Sequence, residues 1–256
     1  MFMETVNKMA DSAENKARFI NKSVWKYFIL AAMAGVYVGF GIMLIFSIGA
    51  PFAAANSPAT KAIMGASFGI ALTLVIFAGA ELFTGNNMVM TIGNLTKRVT
   101  IGDTAKIWIV SYIGNLVGSL LFAYLVARSG LISNEPQSAF ILKVSAGKMA
   151  APAMQLFIRG ILCNMLVCLA IWTATRAKED TAKLLLIWWC LFGFIGAGFE
   201  HSIANMSLLG MGLFIPHDAA VVNVAGFVKN LVYVTGGNIV GGALFIGAMY
   251  WFVSKE

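Results

Sequence analysis

Six long apolar stretches, roughly 27–50, 62–95, 105–127, 153–175, 184–213 and 227–253, leave room for little else in this chain of 256 residues. Each is long enough for the roughly 20 apolar residues a helix needs to cross a bilayer. A water-soluble fold of this length could not bury them. Of all residues 59% are hydrophobic and 11% charged, against roughly 25% charged in an average soluble domain. Lipid must serve as part of the solvent. The fold class is therefore all-α integral membrane, with six transmembrane helices and no room for a second, polar domain.

Residues 1–26 precede the first apolar run and are polar and basic, carrying Lys8, Lys16, Arg18, Lys22 and Lys26. The run that follows is too long for the core of a cleavable export signal. Within this segment Val6, Met9, Ala10, Ala13, Ala17 and Ile20 recur at helical spacing, which predicts an amphipathic helix packed on the bundle or on a neighbouring subunit. Residues 27–256 then form the membrane domain. The formal net charge of +7 is read as orientation, not as nucleic-acid binding. With both termini cytoplasmic, twelve of the eighteen Lys and Arg residues lie on the inner side and six on the outer, as the positive-inside rule favours. Cys163, Cys168 and Cys190 lie in apolar runs without metal-ligand spacing, so they read as packing residues, with no metal and no cofactor implied.

The stretches 62–95 and 184–213 are longer than one crossing needs, and each is interrupted at mid-depth: Glu81-Leu82-Phe83-Thr84-Gly85-Asn86 in one, Glu200-His201-Ser202-Ile203-Ala204-Asn205 in the other. A charge at the centre of a lipid-facing helix costs roughly 2.5–3.5 kcal/mol on insertion scales, so two Glu-x-x-x-x-Asn sites require a reason. They lie 119 residues apart, and Gly114-Asn115-Leu116-Val117-Gly118 is matched by Gly237-Asn238-Ile239-Val240-Gly241 at a separation of 123. The chain is thus two similar halves, about 27–127 and 153–253, of three spans each. An odd number of spans per half makes the repeat inverted. Inverted repeats with a broken helix in each half place a pathway or binding site at the membrane midplane. Half-helix amino termini aimed at that point carry partial positive charge and favour an anion. The paired glycines have the small-xxx-small spacing of closely packed helices.

Ala80-Glu81-Leu82-Phe83-Thr84-Gly85-Asn86, Arg159-Gly160-Ile161-Leu162-Cys163-Asn164, Gly198-Phe199-Glu200-His201-Ser202-Ile203-Ala204-Asn205-Met206 and Gly237-Asn238-Ile239 strongly resemble the formate/nitrite transporter family, its nitrite and hydrosulfide members in particular. The resemblance runs from about Met33 to Phe252. It implies an aquaporin-like fold, a homopentamer with one pore per protomer, a bacterial inner-membrane location, and passage of small monovalent anions of weak acids such as hydrosulfide, nitrite and formate. The Asn-Pro-Ala pair of water channels is absent. Carried over position by position, the resemblance puts His201, Thr84 and Asn238 at the pore centre and makes Glu81, Asn86, Glu200 and Asn205 the helix breaks, with Asn238 and Asn205 supporting them. It puts Phe68, Leu72 and Phe194 in an outer apolar constriction and Leu82, Phe83 and Val167 in an inner one. Lys148, in the loop before the fourth span, aligns with a lysine that draws anions in.

A monovalent anion crossing two apolar rings as a bare charge meets a barrier on the order of 10 kcal/mol or more. Protonating it first costs about 1.4 kcal/mol per unit by which its pKa lies below ambient pH, so the neutral form crosses more easily. His201 is suited to exchange that proton, with the Thr84 hydroxyl orienting either partner. Alternatively a neutral His201 only donates an N–H to the passing anion. Glu81 and Glu200 are expected to accept hydrogen bonds from freed backbone N–H groups. Arg159 is either a snorkelling anchor or an attractor of anions. His217 and Asp218 read as solvated loop. A membrane enzyme is the rival class. Against it, Ser202 adjoins His201, and consecutive helical residues do not face each other; His-x-x-x-His is absent.

Overall fold

The computed structural model describes residues 2–255. Six helices among them are long and apolar enough to span a membrane. In chain order the helices are α1 (Met3–Lys22), α2 (Val24–Ala54), α3 (Thr60–Gly79), α4 (Phe83–Leu95), α5 (Ile101–Arg128), α6 (Gln137–Ala150), α7 (Ala153–Arg176), α8 (Asp180–Ala197), α9 (Ser202–Phe214) and α10 (Val224–Val253). The spans are α2, α3, α5, α7, α8 and α10.

The two over-long apolar stretches are each divided. After α3 ends at Gly79 (φ 81°), Ala80 is extended, and Leu82 is extended before α4 begins. After α8 ends at Gly198 (φ 76°), His201 is extended before α9 begins. Glycine supplies the left-handed turn without steric strain. The halves then interlock. Half-helix α4, of the first half, packs on α7 and α10 of the second; α9, of the second, packs on α2 and α5 of the first. Each half-helix is accordingly buried almost all round: Phe83 to Met90 and Ser202 to Gly212 are buried without interruption.

Close helix approach depends on the glycines at the repeat. A Cβ on Gly118 would lie 1.9 Å from the Ala32 carbonyl oxygen, and one on Gly241 would lie 2.3 Å from that of Ile161. These contacts join α5 to α2 and α10 to α7, so the same seam is built twice.

Besides the half-helices α4 and α9, two helices lie outside the spans. The amino-terminal helix α1 turns Val6, Met9, Ala10, Ala13, Ala17 and Ile20 inward and packs chiefly on α4. Its start is held by Phe2, whose ring meets Tyr250 edge-on at 5.5 Å beneath the Arg176 guanidinium at 5.1 Å. The counterpart, α6, precedes the fourth span. Sequence reading treats 128–152 as a connection, whereas the structure makes Gln137–Ala150 a helix that buries Ile141, Ser145 and Met149. The i, i+4, i+8 spacing of those three is the signal for it, obscured because one of the three is a serine.

Candidate functional site

Both helix breaks are stitched by one asparagine each, in matching ways. Asn115 Nδ2 donates to the carbonyls of Ala31 (2.7 Å) and Glu81 (2.9 Å), and its Oδ1 accepts from the Phe83 N–H at 2.9 Å. Asn238 Nδ2 donates to the carbonyls of Gly160 (2.8 Å) and Glu200 (3.0 Å), and its Oδ1 accepts from the Ser202 N–H at 2.9 Å. The backbone adds a matching pair of bonds, Glu81 N–H to Leu30 O and Glu200 N–H to Arg159 O, each 3.2 Å. Side-chain carboxamides therefore satisfy the backbone groups that interrupted helices leave orphaned.

The glutamates do something different from what their positions suggest. Expected to take freed backbone N–H groups, their carboxylates accept from side chains instead. Glu81 accepts from Lys16 Nζ at 2.7 and 2.6 Å and from the Tyr27 hydroxyl at 2.6 Å, with Asn86 Nδ2 at 3.3 Å. Glu200 accepts from Lys148 Nζ and Asn205 Nδ2, both at 2.7 Å. The asparagine clamps already hold the free backbone donors, so the charge of each carboxylate is met by a lysine from the helix outside the bundle, α1 in one half and α6 in the other. Asn86 and Asn205 thus hold carboxylates, not backbone. Lys16 and Tyr27 were not singled out from sequence. The signal was the repeat itself, since a lysine precedes each glutamate, Lys16 by 65 residues and Lys148 by 52.

Between the two breaks, Thr84 Oγ1 lies 3.0 Å from His201 Nε2. Thr84 is in the first turn of α4 and His201 caps α9, its Nδ1 accepting from the Ala204 N–H at 3.1 Å. A capped Nδ1 carries no proton, which places the ring N–H on Nε2, facing Thr84. Two half-helix amino termini, each equivalent to roughly +0.5 charge, converge on this contact. Asn164, also missed from sequence, donates from Nδ2 to the Thr84 carbonyl (3.1 Å) and the Asn238 carbonyl (2.7 Å). It ties one break to the other.

Two spaces meet at His201, which is 5% exposed. A vestibule of about 470 Å³ reaches it from the side of α6 and the α2–α3 loop, lined by Lys148, Phe194, Phe199 and Asn205 among others. Beyond Phe194 lies a void of about 10 Å³, lined by Phe68, Leu72, Phe194, Leu82, Val167 and His201. That is about the space of one water. Phe68 and Phe194 meet edge to face at 5.4 Å, and Phe194 stacks on the His201 ring at 6.0 Å. Five of the six residues expected to form two constrictions therefore share this one void. Phe83 sits apart, its ring 5.0 Å from Tyr112. Asn238 lines neither space; it works behind the break. Lys148 is on a helix, not in a loop, and lines the vestibule while paired to Glu200. Ser202 Oγ is buried with no hydrogen-bond partner, so it makes no pair with His201. Arg159 bonds Gln155 on its own helix, and His217 bonds the Ile215 carbonyl.

The family profile described as "Formate/nitrite transporter" matches residues 3–252. The chain belongs to the formate/nitrite transporter family. Similar proteins include the nitrite transporter NirC of Escherichia coli K12, 44% identical over all of this chain and 94% of that relative. The formate channel FocA of the same strain is 33% identical over 96% of this chain and 92% of its own. Among solved structures, one titled FNT family ion channel superposes with a TM-score of 0.94 at 43% identity, covering 99% of this chain and all of that one. A pentameric formate channel with formate bound gives a TM-score of 0.76 at 28% identity over 91% and 98%. This member of the formate/nitrite transporter family is thus a multi-pass membrane protein of an anion-transporting family. Its relatives are transporters and channels, which answers the enzyme alternative. The aquaporin-like, six-span reading with two broken helices holds.

Proposed function

We propose that this transporter passes small monovalent anions of weak acids, with nitrite, formate and hydrosulfide as the candidates, along a route through the vestibule, past His201 and Thr84, and through the apolar void lined by Phe68, Leu72, Leu82 and Val167. The reading rests on one observation above the others. The Thr84–His201 contact of 3.0 Å joins the two inverted halves where a wide vestibule ends and a narrow apolar layer begins. A small ion arriving there meets two helix amino termini, an N–H and a hydroxyl, then a layer in which charge is unfavourable by on the order of 10 kcal/mol. The neutral acid is the form suited to that layer.

His201 takes part in one of two ways. It exchanges its Nε2 proton with the anion through the Thr84 hydroxyl, or it keeps that proton and only donates a hydrogen bond. The capped Nδ1 favours the second, because a proton on Nδ1 and the Ala204 bond exclude each other. We further propose that the protein assembles as a homopentamer with one pore per protomer, in keeping with the similarity to a pentameric formate channel, and lies in a bacterial inner membrane with both termini cytoplasmic. Flux of nitrite, formate and hydrosulfide into proteoliposomes, with and without a pH gradient, is the test. We expect uptake of at least one of the three with proton co-movement. His201→Asn should lower flux by at least about tenfold, as expected when a positioned polar group is lost at a barrier. Co-movement that persists in His201→Asn rules out the exchange version; a parent protein that carries none of the three ions overturns the proposal.

A further inference from the structure

The vestibule is far larger than a three- or four-atom anion needs. Its volume of about 470 Å³ falls in the roughly 300–1,000 Å³ range of sites for drug-sized ligands, whereas the void beneath it offers about 10 Å³. Its wall is mainly apolar, with Ile45, Phe46, Met64 and Phe140 contributed by α2, α3 and α6. Only two of its lining residues are charged, Lys61 and Lys148. Lys148 is neutralised by Glu200 at 2.7 Å. Lys61 stands exposed at the start of α3, and among the described residues it forms no ion pair. An uncompensated positive charge therefore sits at the rim of an aromatic-walled chamber whose floor is closed by the Phe68–Phe194 contact at 5.4 Å.

We propose that this vestibule is a binding site for a larger amphipathic anion, an aryl carboxylate or aryl sulfonate, which lodges there and does not cross. Its anionic group is held at Lys61, its ring lies against Phe46 and Phe140, and the closed floor stops it. A charge-assisted contact supplies orientation and the aromatic wall supplies most of the buried area. The ligand occupies the approach to His201 and so competes with small anions from that face alone. Competition rests on the transport route proposed above; binding does not.

Naphthalene-2-sulfonate is the probe, because its permanent charge removes the neutral route and keeps it on the side to which it is added. Titration calorimetry on the full-length protein in detergent should give one saturable site per chain. Lys61→Gln and Phe140→Ala should each weaken it by about tenfold, and Lys61→Arg should retain it. Lys143→Gln, exposed on α6 and lining neither space, should leave it unchanged. In proteoliposomes the probe should inhibit nitrite or formate uptake competitively when added on the vestibule side only. Absence of saturable binding overturns the inference, as does binding that Lys61→Gln and Phe140→Ala both leave intact in correctly folded protein. A parent protein that binds the probe yet carries no small anion overturns the transport reading and leaves the site standing.

Discussion

Asn115 and Asn238 show how much one side chain does at a broken helix. Each makes three hydrogen bonds to backbone, two of them to groups at the break itself and the third to a carbonyl of a neighbouring span. Removing a partner of a buried polar group costs about 1–3 kcal/mol per group left unsatisfied. Asn115→Ala and Asn238→Ala should therefore each lower stability by about 3 kcal/mol or more, read as a fall in melting temperature in detergent. Because the two clamps have the same geometry, a large effect from one and none from the other would contradict the equivalence of the halves. The lysine–glutamate pairs make a different argument. Lys16 and Glu81 side chains are 19% and 12% exposed. Breaking a buried pair by removing one partner costs roughly 3–5 kcal/mol, whereas replacing both is often close to neutral; the partial exposure of this pair puts it at the lower end. Lys16→Met alone leaves Glu81 with only the neutral donors Tyr27 and Asn86. The double variant Lys16→Met/Glu81→Gln should be more stable than Lys16→Met, and thermal unfolding of the four-member cycle measures the coupling.

At the scale of elements, the packing of α5 on α2 and of α10 on α7 rests on backbone meeting backbone. Ala at Gly118 or Gly241 would place a methyl group inside a carbonyl oxygen of the facing helix, and no rotamer relieves that. Gly118→Ala should separate α5 from α2 and yield little folded protein, measured by recovery on size-exclusion chromatography. Gly147, on α6, has nothing within 4 Å of where its Cβ would stand. Gly147→Ala should be neutral or stabilising by about 0.5–1 kcal/mol, since helix interiors favour Ala over Gly. A matched loss from both would mean the contact geometry is not what limits Gly118. The half-helices carry the same lesson. α4 and α9 are 13 residues each, too short to be stable alone in water or to cross a bilayer, and each is supported by the opposite half.

For the whole molecule, the proposed topology puts the connection after α5 outside and the connection after α7 inside. A membrane-impermeant maleimide should label Ser133→Cys in intact cells, and should label Lys178→Cys only after permeabilisation. Both positions are exposed, while native Cys163 and Cys168 are buried and Cys190 is half-buried. The reverse pattern would invert the molecule and turn the vestibule toward the cytoplasm. The charge count behind this topology is a property of the entire chain, since no single loop carries enough lysine and arginine to decide it.

Six spans, two breaks and an inverted repeat were readable from the chain alone, because lipid allows no unsatisfied backbone and a carboxylate at mid-depth announces that something other than lipid faces it. The stripe of Val6, Met9, Ala13, Ala17 and Ile20 was legible for the same reason: periodicity survives without knowledge of the partner surface. What only the tertiary structure decided is which group meets which. Lys16 lies 65 residues from Glu81, and Asn164 lies 80 from Thr84, and no local pattern relates residues so far apart. The turning of Phe83 toward Tyr112, the helix at α6 and the size difference between vestibule and void follow from how two interlocked halves fill space. Such packing depends on every neighbour at once, whereas the spans depend only on the solvent around them.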